Sequence, residues 1–216
     1  MIKHHPNDKI LSEFAQGELT ATMSMAVSAH VEMCPCCQKK VASLECRFGT
    51  EALGGEEEVV VDSRFQAMFD EIVVDESVAE MVDTPVTTIM YQHKEIVLPR
   101  ALGGVDRSEF VKMGKLGRSR YQIEDGSLRA SLLHIEPGGE IPNHTHNGFE
   151  VTLLLDGKFC DEEGEYVPGD FILLDGQHNH SPKTKEGCLC FTVVSASLHF
   201  NKGISKLLNP IGNLIY

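Results

Sequence analysis

Residues 30 to 37, HVEMCPCC, place one histidine and three thiols within eight positions. His30 and Cys34 are four apart, so on a helix they share one face, and Cys37 follows three later, where the chain turns. Three such donors can converge on one ion, and a structural zinc site takes four nitrogen or sulfur ligands in a tetrahedron. His4 or His5 can supply the fourth if the first two helices pack antiparallel. Cys36 is another candidate, although a cysteine between two ligands tends to point away. The chemistry implied is structural: zinc can add roughly 10–16 kcal/mol of apparent binding free energy to the folding of a unit too small to bury a large core. The competing reading is reduced thiols beside a core histidine.

A second constellation lies in PGGEIPNHTHNGFEVTLLLDG, residues 137–157. On a strand, His144 and His146 point to the same face and Glu150 keeps their parity. With Gly138 and Gly157 the spacing is G-x5-H-x-H-x3-E-x6-G, similar to the first motif of cupins. Pro168-Gly169-Asp170 leads to His180, followed by Ser181-Pro182, and is similar to the second cupin motif; His178 has the same strand parity and is the rival. Three histidines and a glutamate facing into a small barrel can bind zinc, iron, manganese or nickel. His134 and His199 sit on apolar strands outside either motif and read as structural. His93 gets no role.

The elements that must position these residues differ between the two halves. Asn7 or Asp8 can cap a short helix with Ile10, Leu11 and Phe14 on its apolar side, ended near Gly17. Thr20 can cap a second helix in which Met23, Val27 and His30 share a face. Pro35 suits the first turn of a third, with Val41, Leu44 and Phe48 along one stripe. Gly54-Gly55 and the acids at 56–58 read as a flexible joint. Asp62 or Ser63 starts a fourth helix with Phe65, Met68, Phe69, Ile72 and Met81 as its stripe, ended by Thr84-Pro85. Coming after a loose joint, this helix is placed to pack on a partner as well as on its own domain.

Beyond residue 106 the punctuation changes to short apolar runs between Gly/Pro turns: 129–136, 151–155, 171–174 and 189–195. That spacing argues for a sandwich or barrel. The fold class expected is therefore α plus β in two domains. A small N-terminal helical zinc-binding domain covers 1–85, a linker 86–106, a C-terminal cupin β-barrel of jelly-roll type 107–200, and a tail 201–216.

Charge separates the halves as well. The net charge is −13, and residues 1–85 hold six Lys/Arg against 16 Asp/Glu, whereas 86–216 hold 13 against 16. Residues 56–83 carry ten acids and one base, Arg64. Such a surface repels nucleic acid and attracts a basic protein, or serves only solubility. Seven cysteines, an odd number with three clustered, read as metal ligands and buried small hydrophobes rather than disulfides. No apolar run reaches the 18 or more residues of a membrane span, and MIKHHPND has no apolar stretch like a signal peptide, so a cytoplasmic location is expected.

His5 followed by His30-x-x-x-Cys34-x-x-Cys37 resembles the zinc-binding anti-sigma domain of bacterial anti-sigma factors. The resemblance implies zinc on His5, His30, Cys34 and Cys37, with His4 possible in place of His5 and Cys36 an addition to the minimal pattern. A zinc domain of this type followed by a cupin resembles the ChrR family of cupin-containing anti-sigma factors, from His5 to about His180. That resemblance implies sequestration of an extracytoplasmic-function sigma factor from RNA polymerase. It also implies release on oxidative stress, singlet oxygen included, sensed through the cupin. A second divalent metal, zinc first with iron, manganese and nickel as alternatives, is expected on His144, His146, Glu150 and His180, and no residue is expected to be catalytic. Cys188-x-Cys190 resembles a cysteine pair near the end of that cupin. The competing classes are a metal-dependent cupin enzyme of dioxygenase or isomerase type, and a metal sensor or storage protein.

Overall fold

The structure, a computed structural model, describes residues 1–54, 62–75, 86–146, 148–196 and 198–200, with side chains left aside at 146 and 198–200. The expected joint at 55–58, Met81, the Thr84-Pro85 stop and the tail 201–216 lie outside the described residues. Four helices come first: α1 Asp8–Ala15, α2 Ala21–Met33, α3 Pro35–Leu53 and α4 Ser63–Val74. A hairpin of β1 Thr88–Tyr91 and β2 Lys94–Val97 follows, then α5 Arg100–Gly103. The remaining strands are β3 Val111–Met113, β4 Leu116–Arg120, β5 Arg129–Ile135, β6 His144–His146, β7 Phe149–Gly157, β8 Phe159–Cys160, β9 Glu165–Tyr166, β10 Phe171–Asp175, β11 Cys188–Val194 and β12 Leu198–Phe200.

Local chemistry explains the helix ends. The Asn7 side chain accepts the Ile10 N–H at 2.9 Å, which caps α1, and Gly17 takes the left-handed conformation just past its end. Pro35 sits in the first turn of α3, where its missing N–H costs nothing. At α2 the expected cap differs: Thr20 occupies the N-cap position but makes no side-chain cap bond. Instead Asp125, 103 residues away, accepts both the N–H and the hydroxyl of Thr22, at 2.9 and 2.6 Å. The first turn of α2 is thus satisfied from the other lobe.

The central sheet is antiparallel, in the order β10-β7-β11-β5-β4-β3. Side chains alternate across it, as the pleat requires. Val151, Leu153, Leu189, Phe191, Val193 and Leu132 join a cluster with Ile10, Leu11, Met23, Val27 and Val41 of the helices. Their neighbours Leu154, Cys188, Cys190, Ile135, Ile172 and Leu174 form a second cluster inside the barrel. Both faces are therefore covered, and the strands read as near-continuous apolar runs.

Residues 86–106, read from the sequence as a linker, hold the β1–β2 hairpin and α5. Ile89, Tyr91, Ile96, Leu98 and Leu102 there are buried in the shared cluster. The signal was weak because the hairpin turn is made by Gln92 and His93, non-glycine residues at φ 49° and 61°. The expected stripe of α3 fades along its length: Val41 is buried, Leu44 partly so, and Phe48 lies half-exposed beside Arg47. Helix α4 has no buried residue: Phe65, Met68, Phe69 and Ile72 are 62, 53, 59 and 64% exposed.

Candidate metal centres

The turn from α2 into α3 brings the first constellation together. His30 is on the last turn of α2, Cys34 is the junction residue, and Cys37 is in the first turn of α3. The irregular N-terminal segment supplies His5. His30 Nε2 lies 3.3 Å from Cys37 Sγ, and His5 Nδ1 lies 3.5 and 3.4 Å from Cys34 Sγ and Cys37 Sγ. One donor atom from each of the four residues falls within 4.8 Å of the others. Zinc bonded to sulfur and nitrogen at its usual lengths has N···S edges of about 3.5 Å, so the donors already stand near the corners of one tetrahedron.

The electrostatics also fit a cation. Burial, with the neighbouring Cys34 thiol, pushes Cys37 up to about 12, so without a positive ion the thiolate is disfavoured there. Burial lowers His30 to about 4, keeping its imidazole neutral as a ligand must be. Cys36 is exposed and stands outside the cluster. His4 is also outside it: its ring packs against Tyr166, with centroids 5.0 Å apart.

The second constellation gathers His144, Glu150 and His180, all buried. Strand β6 presents His144, β7 presents Glu150, and an isolated bridge pairs His180 with His144. His144 Nδ1 points to the Pro142 carbonyl at 2.9 Å, and His180 Nδ1 faces Asp161 Oδ2 at 3.5 Å. A carbonyl and a carboxylate both accept, so each ring can donate from Nδ1 and turn its Nε2 inward as a ligand atom. The two Nε2 atoms face each other at 2.9 Å, and Glu150 Oε2 lies 3.9 Å from that of His180. Two imidazole nitrogens and a carboxylate oxygen this close together suit a shared metal ion. The cavity at the site is about 30 Å³, lined also by Leu133, Phe159, Ile172 and Cys190.

The side chain of His146 lies outside the described residues, as does that of His199. His178 is exposed and bonded to Asp175 at 2.7 Å, so the structure brings His180 rather than His178 to the cluster. Asp161 was missed by sequence reasoning. Burial alone would raise its carboxyl, but bonds from His180, the Glu163 N–H and Tyr166 outweigh this and hold it below the usual carboxylate range. Its only signal was an acid within an acid-rich turn, DEEGE. Cys188 and Cys190 both face the barrel interior, as their alternate positions imply. The bond between them, together with burial, raises the Cys190 thiol well above its ordinary value. His134 packs between Tyr91 and Phe110, a structural setting.

Residues 102–197 match the family model of the ChrR cupin-like domain. The chain is 30% identical over 224 residues, 97% of each protein, to the anti-sigma-E factor ChrR of Cereibacter sphaeroides. It shares its fold with a chain in the crystal structure of Rhodobacter sphaeroides SigE in complex with the anti-sigma ChrR. There the TM-score is 0.67 at 24% identity, covering 90% of this chain and 100% of that one. An RmlC-like cupin of Ralstonia eutropha JMP134 superposes with a TM-score of 0.40 at 17% identity, over 45% of this chain and 68% of the other.

Proposed function

The chain belongs to the ChrR family of anti-sigma factors, and from this premise we propose that it sequesters an extracytoplasmic-function sigma factor from RNA polymerase in the cytoplasm. The observation that carries the reading is α4. Phe65, Met68, Phe69 and Ile72 recur at the spacing of one helix face, and each is more than half exposed. Asp62, Asp70, Glu71 and Asp75 flank that stripe in the most acidic part of the chain. A sigma factor offers basic surfaces for DNA beside apolar patches for polymerase, and such a helix complements both.

Zinc on His5, His30, Cys34 and Cys37 would set the angle between α2 and α3 and the path of the N-terminal segment. The sigma-binding part is residues 1–85. The cupin, with a second divalent ion on His144, Glu150 and His180 and with His146 as a further ligand, would carry the response to oxidative stress. No described helix is long and apolar enough to cross a membrane. Co-expression with the partner sigma factor followed by affinity purification tests the reading. A stable one-to-one complex with stoichiometric zinc is expected, and a chain that purifies alone would overturn it.

A metal-dependent cupin enzyme is the second reading, favoured by the buried two-histidine, one-carboxylate set. The cavity of about 30 Å³ has room for a metal with a water. Turnover of a small organic substrate by the metal-loaded chain would shift the balance toward the enzyme.

A further inference from the structure

One turn of the barrel holds the ring of His30 and the backbone just before His5. His30 is fully buried, and its Nδ1 lies 2.8 Å from the carbonyl oxygen of Gly169, 139 positions away. A carbonyl only accepts, so this contact fixes the proton on Nδ1 and leaves Nε2 bare toward Cys37. The next residue holds the irregular segment that carries His5. Asp170 Oδ1 accepts the N–H groups of Lys3 and His4 at 2.6 and 3.0 Å, and its Oδ2 accepts that of Val167 at 2.8 Å. The Phe171 N–H then donates to the His4 carbonyl at 3.0 Å. Gly169 is at φ +95°, and an added Cβ would run into Ile2, so the approach of this turn to the N-terminal segment is open only to glycine.

We infer that the Val167–Phe171 turn is the outer support of the N-terminal metal site, with Asp170 a positioning residue for His5 and the Gly169 carbonyl for His30. The inference rests on the reading of the first cluster as a metal site. Its consequence is that the helical lobe supplies both sulfur ligands while the barrel orients both nitrogen ligands. The ion is then held most tightly only while the two lobes are docked. Loss of outer hydrogen bonds to metal-bound histidine typically weakens binding by about 10–100-fold.

The test uses the full-length chain loaded with Co²⁺, whose thiolate-to-metal absorption reports the Cys34/Cys37 site and not the His144/Glu150/His180 cluster. Asp170→Ala should lose that absorption to excess chelator about tenfold faster than the wild type. Asp125→Ala is the control: it breaks another clasp on the helical lobe, at Thr22, without touching His5 or His30. It should stay within about twofold of the wild type. Equal acceleration in both variants, or none in Asp170→Ala, overturns the inference. Should Asp170→Ala fail to fold, ¹⁵N-histidine spectra of the zinc-loaded wild type decide. A slowly exchanging proton on His30 Nδ1 with the metal on Nε2 supports the inference, and a metal on Nδ1 overturns it. A chain that takes up neither ion overturns the metal reading and this inference with it.

Discussion

His30 combines three properties that define its role. It is wholly buried, neutral and bonded at both ring nitrogens. His30→Ala removes a ligand and leaves the Gly169 carbonyl and the Cys37 thiol without it, so loss of metal and a fall of about 3 kcal/mol or more in stability are expected. Metal analysis and urea unfolding would read the two effects. Stripping zinc from the wild type with a chelator should melt residues 1–50, seen as lost helical circular dichroism, and free the sigma factor. A chelated protein that kept its partner would count against the zinc reading.

His134 gives a separate pH signature. Burial, with Lys112 nearby, holds it below the ordinary histidine value of 6.5, against an opposing pull from Glu136. Its folded state therefore binds fewer protons than the unfolded chain between the folded value and 6.5, and stability falls as pH drops through that window. The stability gap between wild type and His134→Gln should be largest above pH 6.5 and narrow at pH 5.5, measured by urea titration.

Among the elements, α4 is expected to act through its surface alone. Phe69→Asp with Ile72→Asp should abolish co-purification of the sigma factor while shifting stability by no more than about 0.5 kcal/mol per site, because neither side chain is buried. Gly117 on β4 is the opposite case. A Cβ there would overlap the His134 imidazole, so Gly117→Ala should lower the thermal midpoint without changing metal content. Helices α1 to α4 and strands β5, β7, β10 and β11 were legible from the sequence because each carries an apolar period or run, whereas α5 lay inside the expected linker. Strands β3 and β4 were not, since VKMGKLGRSR interrupts its pattern with glycine and charge. The donors His30, Cys34 and Cys37 were legible because they are local. The Gly169 carbonyl and the Asp170 carboxylate were not, because a turn motif does not reveal what it clasps 139 positions away.

On the scale of the whole molecule, the question is where an oxidant acts. If the cupin centre is the sensor, a His144→Ala, His180→Ala chain should still bind the sigma factor but retain it under singlet oxygen. Release at the wild-type rate would move the sensor to Cys34 and Cys37 or to Cys188 and Cys190. The central sheet makes the cupin route mechanically plausible. Glu150, Thr152 and Leu154 look into the barrel, while Val151 and Leu153 on the same strand touch the helical layer. Behind this partition stand buried apolar side chains of α1 and α2. A change of packing in one chamber, from a lost metal or a sulfur atom that gains oxygen, would bear on the wall that α2 leans against, the helix whose last turn carries His30.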